Sequence, residues 1–143
     1  MVTHGLARLP LTFAIPVPAA EVISGNDRAG WQATHRQTLA LVSRGRTVVI
    51  AAGRPRLDRV TREVVIWYPD KRRRDAENYR PTVKALQDGM VRVGLLVDDD
   101  DEHVRDIGIR PARPNESPPS SMLRVAKYTR AFVFAFVFDA WPE

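Results

Sequence analysis

The chain contains no cysteine and few histidines, and no apolar run approaches the length of a membrane span. Without thiols it can form neither disulfide bonds nor thiolate metal sites. His4, His35 and His103 have no metal-ligand spacing among themselves, so we treat them as non-catalytic. The N-terminal segment also lacks the pattern of a signal peptide, and the expected location is the cytoplasm or the nucleoid, with no membrane partner.

The bulk composition is that of a folded, basic protein. Of the 143 residues, 44% are hydrophobic and 27% charged, which predicts a single globular domain over residues 1–143. The formal net charge is +5 and the isoelectric point is near 10.2. A polyanion such as nucleic acid is therefore a reasonable partner.

Hydrophobic periodicity predicts five strands and two helices, and Trp31 at the start of the first helix is expected in the core. The predicted elements are a strand at 11–15, a helix at about 30–44, two paired strands at 47–52 and 60–68, a helix at 79–93, a strand at 104–110 and, after a loop at 111–121, an extended segment at 122–138. Asn78 is the expected N-cap of the second helix, and Pro81 fits its first turn.

The last predicted strand is apolar on both faces. Phenylalanines occupy every second position from 132 to 138, and alanines and valines occupy the positions between them. Such a pattern is typical of a central strand that is buried on both sides. The expected fold class is α/β, with a mixed, mostly antiparallel sheet covered by two helices.

The segment 70–78 places four consecutive cations, at 71–74, beside Asp75 and Glu77. In an extended stretch, carboxylates at this spacing point the same way and lie about 6–7 Å apart at the backbone. Two such acids could grip one hard cation. Mg²⁺ prefers oxygen ligands and usually takes a few carboxylates together with waters and phosphate oxygens, so a third carboxylate is expected from elsewhere in the chain.

A second acidic segment, at 98–102, supplies candidates for that third ligand. It follows the predicted 79–93 helix, whereas Asp75 and Glu77 precede it. A helix of this length spans about 22 Å, so the two segments meet only if the chain folds back after Gly94. Two acidic segments and a basic strip suit phosphodiester hydrolysis, in which a metal activates water and cations neutralise phosphates.

A proline and the basic run precede Asp75-Ala-Glu-Asn78, a helix with Lys84 and Asp88 follows, and Gly-Leu-Leu-Val-Asp-Asp closes the segment at 94–99. This succession resembles the signature of RusA-type Holliday junction resolvases, which carry Asp-x-Asp-Asn, a helix with a lysine, and a Gly-x-x-x-Asp-Asp turn. The segment 26–31 resembles the N-terminal part of the phage-borne branch of that family.

The resemblance implies a RusA-like fold and a homodimer that cuts four-way DNA junctions symmetrically with Mg²⁺ or Mn²⁺. Transferred by position, the metal carboxylates would be Asp75, Glu77 and Asp99, with Asp98 as the second choice within the acidic run. Lys84 would stabilise charge at the scissile phosphate. The residues expected to contact DNA are Lys71, Arg72, Arg73, Arg74, Arg80 and Arg28.

Two positions depart from the family pattern. Glu77 stands where the family has an aspartate, which adds a methylene group to one metal ligand. Lys84 aligns only if residues 81–83 form about one extra helical turn ahead of it, which keeps it on nearly the same helix face.

Structural explanations compete with each functional one. Asp75 and Glu77 could offset the macrodipole at the start of a helix, and the acidic run could be a solvated loop. Lys84 could form an ordinary surface ion pair with Asp88. A protein that binds branched DNA without cutting it, and a nuclease of the same chemistry acting on flaps or replication forks, are the alternative functions.

Overall fold

The computed structural model describes residues 6–26 and 30–142, which form a mixed α/β structure. Within them lie a four-stranded sheet and three α-helices. The elements in chain order are β1 (Leu11–Val17), α1 (Trp31–Ala51), β2 (Val60–Trp67), α2 (Arg80–Arg92), β3 (Val104–Pro111), α3 (Ser120–Thr129) and β4 (Phe132–Ala140), with short 3₁₀ turns at Ala19–Glu21 and Ala76–Tyr79.

The sheet has the strand order β1-β4-β2-β3. β4 pairs antiparallel with β1 and β2, whereas β2 and β3 are parallel, so the expected mixed and mostly antiparallel sheet is confirmed. The central position of β4 is confirmed too, because Phe134 and Val133, on opposite faces, are both fully buried. β1 continues through Pro16 to Val17, which an edge strand permits because proline there leaves no ladder donor missing.

The predicted strand at 47–52, and its pairing with the next strand, are wrong. α1 continues through this stretch to Ala51, with Leu41, Val42, Gly45 and Val49 buried along one face. The β-branched residues at 47–50 favour a strand only weakly, and packing against α2 outweighs that preference. Gly45 was expected to follow the end of the helix, but it lies at the contact between α1 and α2 instead.

That contact is close enough to require glycine on both helices. A Cβ added at Gly45 would lie 1.9 Å from the Leu86 carbonyl oxygen, and one added at Gly89 would lie 2.0 Å from the Val42 carbonyl oxygen. The two backbones therefore touch. Leu86 and Met90 of α2 are fully buried in the same core as the phenylalanines of β4.

The extended conformation predicted for the start of the segment 122–138 is also wrong. Residues 120–129 form α3, and Arg130, at φ 50°, turns the chain into β4. Two helices were expected and the described residues contain three, because a helix precedes the phenylalanine-rich strand. α3 lies against β1 and β4.

Two smaller predictions fail at helix ends. Trp31 is 75% exposed rather than in the core, because the buried side chains of α1 begin only at Leu41 and the first turn projects beyond them. The capping side chain before α2 is Asp75 rather than Asn78, because a 3₁₀ turn precedes the helix and starts the helical path earlier. Pro81 lies in the first turn of α2, as predicted. None of the helices in the described residues has the length and apolarity needed to cross a membrane.

Candidate functional site

The chain folds back sharply after α2 and returns the acidic run to the side of that helix. The Leu95 amide donates to the Met90 carbonyl, and the Leu57 amide donates to the Leu95 carbonyl. Leu95 and Leu96 are buried, so this turn is anchored in the core. β3 then runs parallel to β2, and its first residues lie beside the start of α2. The chain therefore does fold back after Gly94, which the sequence alone could not establish.

The fold-back encloses an open pocket of about 240 Å³ between α2, the acidic run and β3, here called the α2 pocket. It is lined by Arg62, Arg80, Val83, Lys84, Gln87, Asp99, Asp101, Val104 and Asp106. Of the predicted site residues, the structure thus brings Lys84, Arg80 and Asp99 together. Three carboxylates and three cations share this one concave surface.

A buried arginine forms the floor of the α2 pocket. Arg62 lies on β2 directly opposite Asp106 of β3 and is only 6% exposed. Its Nη2 donates to Asp106 Oδ1 at 2.5 Å, and its Nη1 donates to Gln87 Oε1 at 2.8 Å. Its Nε has no partner among the described residues. A buried cation needs such pairing, so the arginine fixes both Gln87 and Asp106.

Asp106 is held by a second arginine as well. Arg80 Nη1 donates to Asp106 Oδ2 at 2.7 Å. Burial raises the pKa of Asp106, but the bonds from Arg80 and Arg62 outweigh it and hold that pKa below its ordinary value, so the carboxylate stays ionised. A β-bulge directly after Asp106 shifts the register, and Gly108 in it adopts φ 132°. Bulges of this kind re-aim neighbouring side chains.

Arg80 connects Glu77 to the α2 pocket. Its Nε and Nη2 donate to the two oxygens of Glu77, at 3.0 Å and 3.2 Å. The hydrogen bond to Asp106, and then those to Glu77, raise the pKa of Arg80 above its usual value. Glu77 therefore reaches the pocket through a guanidinium that also holds Asp106.

Asp75 occupies a different surface. Its Oδ1 accepts a hydrogen bond from the Glu77 amide at 3.1 Å, which caps the 3₁₀ turn before α2. Asp75 lines two shallow grooves, both shared with Arg73 and Arg74, and neither has a lining residue in common with the α2 pocket. Asp75 and Asp99 thus line different grooves rather than one pocket. The extended geometry expected for Asp75 and Glu77 is replaced by the turn.

Within the acidic run, alternate carboxylates have different environments. Asp98 accepts from the Asp99 amide, and Asp100 accepts from the amides of Glu102 and His103 and bonds to the His103 ring at 2.6 Å. Asp99 and Asp101 instead line the α2 pocket, and neither forms an ion pair within the part of the chain that the structure describes. The pair Asp99 and Asp101 therefore offers free oxygen ligands, whereas Asp98 is turned to the backbone.

Lys84 has both of the environments considered from the sequence. Its Nζ lies 3.5 Å from Asp88 Oδ1, the i,i+4 ion pair of an ordinary helix surface. The same side chain lines the α2 pocket and is 71% exposed. An exposed pair of this kind is weak, so the ammonium can leave Asp88 at little cost.

The four consecutive cations do not share one role. Arg74 has a side chain only 8% exposed; it is paired with Asp70 at 2.6 Å and lies 5.2 Å from the centroid of the Tyr68 ring. The hydrogen bond from Arg74 lowers the pKa of Asp70 to about 2. Arg72 lies 3.7 Å from the same carboxylate. Lys71 and Arg73 are exposed and form no ion pair with the described residues. Arg74 thus belongs to the fold, and its neighbours face solvent.

Arg28, the remaining predicted DNA contact, lies outside the described residues.

Among the described residues, no three His, Asp or Glu side chains lie close enough together to form a ready metal cluster. The donor chemistry nevertheless suits Mg²⁺, because Asp99 and Asp101 present oxygen ligands that the protein's own cations leave unpaired.

Sequence reasoning missed Arg62, Gln87 and Asp106. One signal was present: Arg62 interrupts the apolar positions Val60 and Val64 on one face of a predicted strand. A charge on the buried face of a strand requires a partner. The partner, Asp106, is brought opposite Arg62 by the parallel pairing of β2 with β3, which the sequence does not reveal.

No protein-family model matches the chain, and no curated protein sequence matches it.

Proposed function

We propose that this chain is a Mg²⁺-dependent endodeoxyribonuclease with a RusA-like fold that resolves four-way DNA junctions. The observation that supports this most directly is the fold-back after α2, which sets the unpaired carboxylates Asp99 and Asp101 beside Lys84 and beside the Arg80–Glu77 pair. Arg80 thereby links an acid that precedes the helix to a pocket in which acids that follow the helix lie beside cations suited to phosphate.

In this proposal Glu77, Asp99 and Asp101 hold the divalent cation, and Asp75 supports the site by capping the turn that carries Glu77. The bound cation would polarise the scissile phosphate and lower the pKa of the attacking water. Lys84 neutralises charge on the phosphate, because its long side chain enters the pocket and its pair with Asp88 is weak. Asp101 replaces Asp98 as the partner of Asp99, since the Asp98 carboxylate accepts from the backbone.

DNA would bind through the exposed part of the basic run. Lys71, Arg72 and Arg73 face solvent, and their charges suit successive phosphates of a duplex arm. Arg74 contributes by fixing the run to the sheet through Asp70 and the Tyr68 ring. Paired cuts need two active sites and one chain offers one, so a homodimer acting in the cytoplasm on recombination or repair intermediates belongs to the same proposal.

A cleavage assay on a synthetic four-way junction tests the proposal. Wild-type protein with Mg²⁺ should give symmetric nicked duplexes and should give none in EDTA. Asp99→Asn should abolish cutting, whereas the matched variant Asp98→Asn should retain it, because only the former removes a pocket-facing carboxylate. Absence of products from wild-type protein with any divalent metal, or equal cutting by both variants, would contradict the assignment.

A second candidate is a protein that binds branched DNA without cutting it. It is favoured by the ion pairs that already engage Glu77 and Asp106, which leave fewer acids for a metal. Junction binding that survives EDTA, with no cleavage products, would support this alternative. Products from flaps or forks but not from junctions would indicate the same chemistry on another substrate.

A further inference from the structure

Arg80 holds two carboxylates that belong to different parts of the chain. Three of its nitrogens are used: Nε and Nη2 for Glu77, and Nη1 for Asp106. The Arg80 guanidinium thus lies between two carboxylates and neutralises them, as a bound metal cation at this site would otherwise do. It lies at the first residue of α2 and its side chain is 46% exposed, so it can turn without disturbing the core.

The charges around the α2 pocket do not balance. The pocket is lined by three cations and three carboxylates, and two further carboxylates outside the lining are ion-paired to those cations. The cations are Arg62, Arg80 and Lys84. The carboxylates are Asp99, Asp101 and Asp106 of the lining, together with Glu77 and Asp88. The excess equals the charge of one divalent cation. Since Asp99 and Asp101 are the unpaired members, the incoming charge is needed on their side of the pocket.

We propose that Arg80 is an exchangeable counter-ion, which neutralises Glu77 in the metal-free chain and releases it when a divalent cation binds. The freed guanidinium then faces the substrate phosphate, still hydrogen-bonded to Asp106 on one side. This inference rests on the proposed function, because it assigns a role to Arg80 at the same metal site.

Arg80, rather than Arg62, has the freedom for this exchange. Arg62 is buried and bonded to both Gln87 and Asp106, so moving it would leave a buried charge unpaired. Asp106 keeps its bond to Arg62 when Arg80 turns. Glu77 is 54% exposed at its side chain, so neither of its two states requires a desolvated free carboxylate.

An exchange of this kind is reciprocal. If the divalent cation weakens the pairing of Arg80 with Glu77, that pairing must weaken the binding of the cation by the same factor. Removing the Arg80 charge should therefore tighten metal binding. A residue that merely held Glu77 in position would have the opposite effect, because its loss would disorder a ligand.

The test is a calorimetric titration of the full chain with Mn²⁺ and Mg²⁺, without DNA. Arg80→Gln should bind the cation roughly 5- to 10-fold more tightly than wild type, as expected for removal of one nearby charge in a partly solvated site. Arg80→Lys, which keeps the charge, should stay near wild type. The matched control is Arg92→Gln on the last turn of the same helix, exposed and without an ion pair in the described part of the chain, which should have no effect. Thermal unfolding verifies that each variant is folded.

Salt dependence of junction binding provides a second readout. With Ca²⁺ present, Arg80→Gln should lower the slope of log affinity against log salt by about 1, the share of one phosphate contact. Without a divalent cation the slope should not change, because Arg80 is then engaged by Glu77. Unchanged or weaker metal binding by Arg80→Gln, or an equal change in slope in both conditions, would overturn the inference alone. Failure of wild-type protein to bind either cation would overturn the proposed function as well.

Discussion

The carboxylates of the two acidic segments differ in whether they have partners within the protein. In the segment before α2, Asp75 caps a turn and Glu77 is chelated by Arg80. In the segment after α2, Asp99 and Asp101 face the α2 pocket without an ion pair in the described residues. Both segments flank the same helix, yet Asp75 and Glu77 both have partners within the protein, whereas Asp99 and Asp101 have no ion pair among the described residues.

This difference indicates how a basic chain can keep a site for a cation. Acids surrounded by arginine are satisfied locally and stabilise the fold, whereas two unpaired acids two residues apart repel each other until a cation joins them. The proposed function assigns metal ligands to both segments. Variants of each segment determine whether the two segments act together or whether only the second one binds the metal.

The largest effect is expected from removing both unpaired acids. Asp99→Asn combined with Asp101→Asn should lower kcat/KM for junction cleavage by ~10³-fold or more, because loss of groups that merely support metal ligands typically costs 10–100-fold. Stability should rise slightly or stay constant, since two repelling charges are lost. Cleavage kinetics and thermal unfolding measure the two quantities. A large loss of stability would show that these acids serve the fold, and the contrast between the segments would disappear.

A smaller effect, on the free energy of unfolding, is expected at the contact between α1 and α2. Gly89→Ala places a methyl group against the Val42 carbonyl and should cost about 3 kcal/mol of unfolding free energy, because the helix backbones must separate. Gly25→Ala is the control, since its added Cβ would meet only an ordinary contact at 3.7 Å. Urea denaturation measures both. Equal stability of the two variants would contradict the close contact between α1 and α2.

The cap before α2 allows the structural and chemical roles of Asp75 to be separated. Asp75→Ala should cost about 1 kcal/mol of stability through loss of the cap, whereas Asp75→Asn should cost little because asparagine caps equally well. If Asp75 also supports the metal, Asp75→Asn should still reduce cleavage. Full activity together with full stability in Asp75→Asn would confine this residue to capping and leave metal binding to the other acids.

The smallest effect concerns a carboxylate of the acidic run that the pocket does not use. The hydrogen bond to Asp100 raises the pKa of His103 above its ordinary value, and the same bond lowers the pKa of Asp100. The stabilisation from protonated His103 is therefore complete below pH 6.5 and is lost as pH rises through its folded-state pKa. NMR titration should show this shift in wild type and its loss in Asp100→Asn. An identical His103 pKa in both would mean that Asp100 is as free as Asp99.

Much of the fold follows from local pattern. The alternation of β4 and the helical period of α2 are strong enough to predict both elements, and β3 is predicted nearly to its bounds. The errors occur where packing overrides local preference. The valines at 48 and 49 belong to a helix because Gly45 lets α1 touch α2, and α3 is concealed by its continuity with an apolar strand.

The candidate site was predictable in its residue types but not in its pairings. Spacing pointed to Glu77, and the family resemblance pointed to Lys84 and Asp99. The structure places Lys84 and Asp99 in the α2 pocket and connects Glu77 to it through Arg80. The parallel register that sets Arg62 against Asp106 is a contact between distant residues, and no local signal encodes it. The choice between Asp98 and Asp101 depends on which carboxylates the turn engages with its own amides, which only the folded backbone decides.

In the proposed mechanism, acids from both sides of α2 share one divalent cation. A crystal structure of the chain soaked in Mn²⁺, with the metal located by anomalous scattering, tests it most directly. We expect one strong peak in the α2 pocket, bonded to oxygens of Asp99 and Asp101 and within reach of Glu77, with Arg80 turned away from Glu77. A peak elsewhere, or an α2 pocket without metal while Arg80 keeps both of its carboxylates, would contradict it.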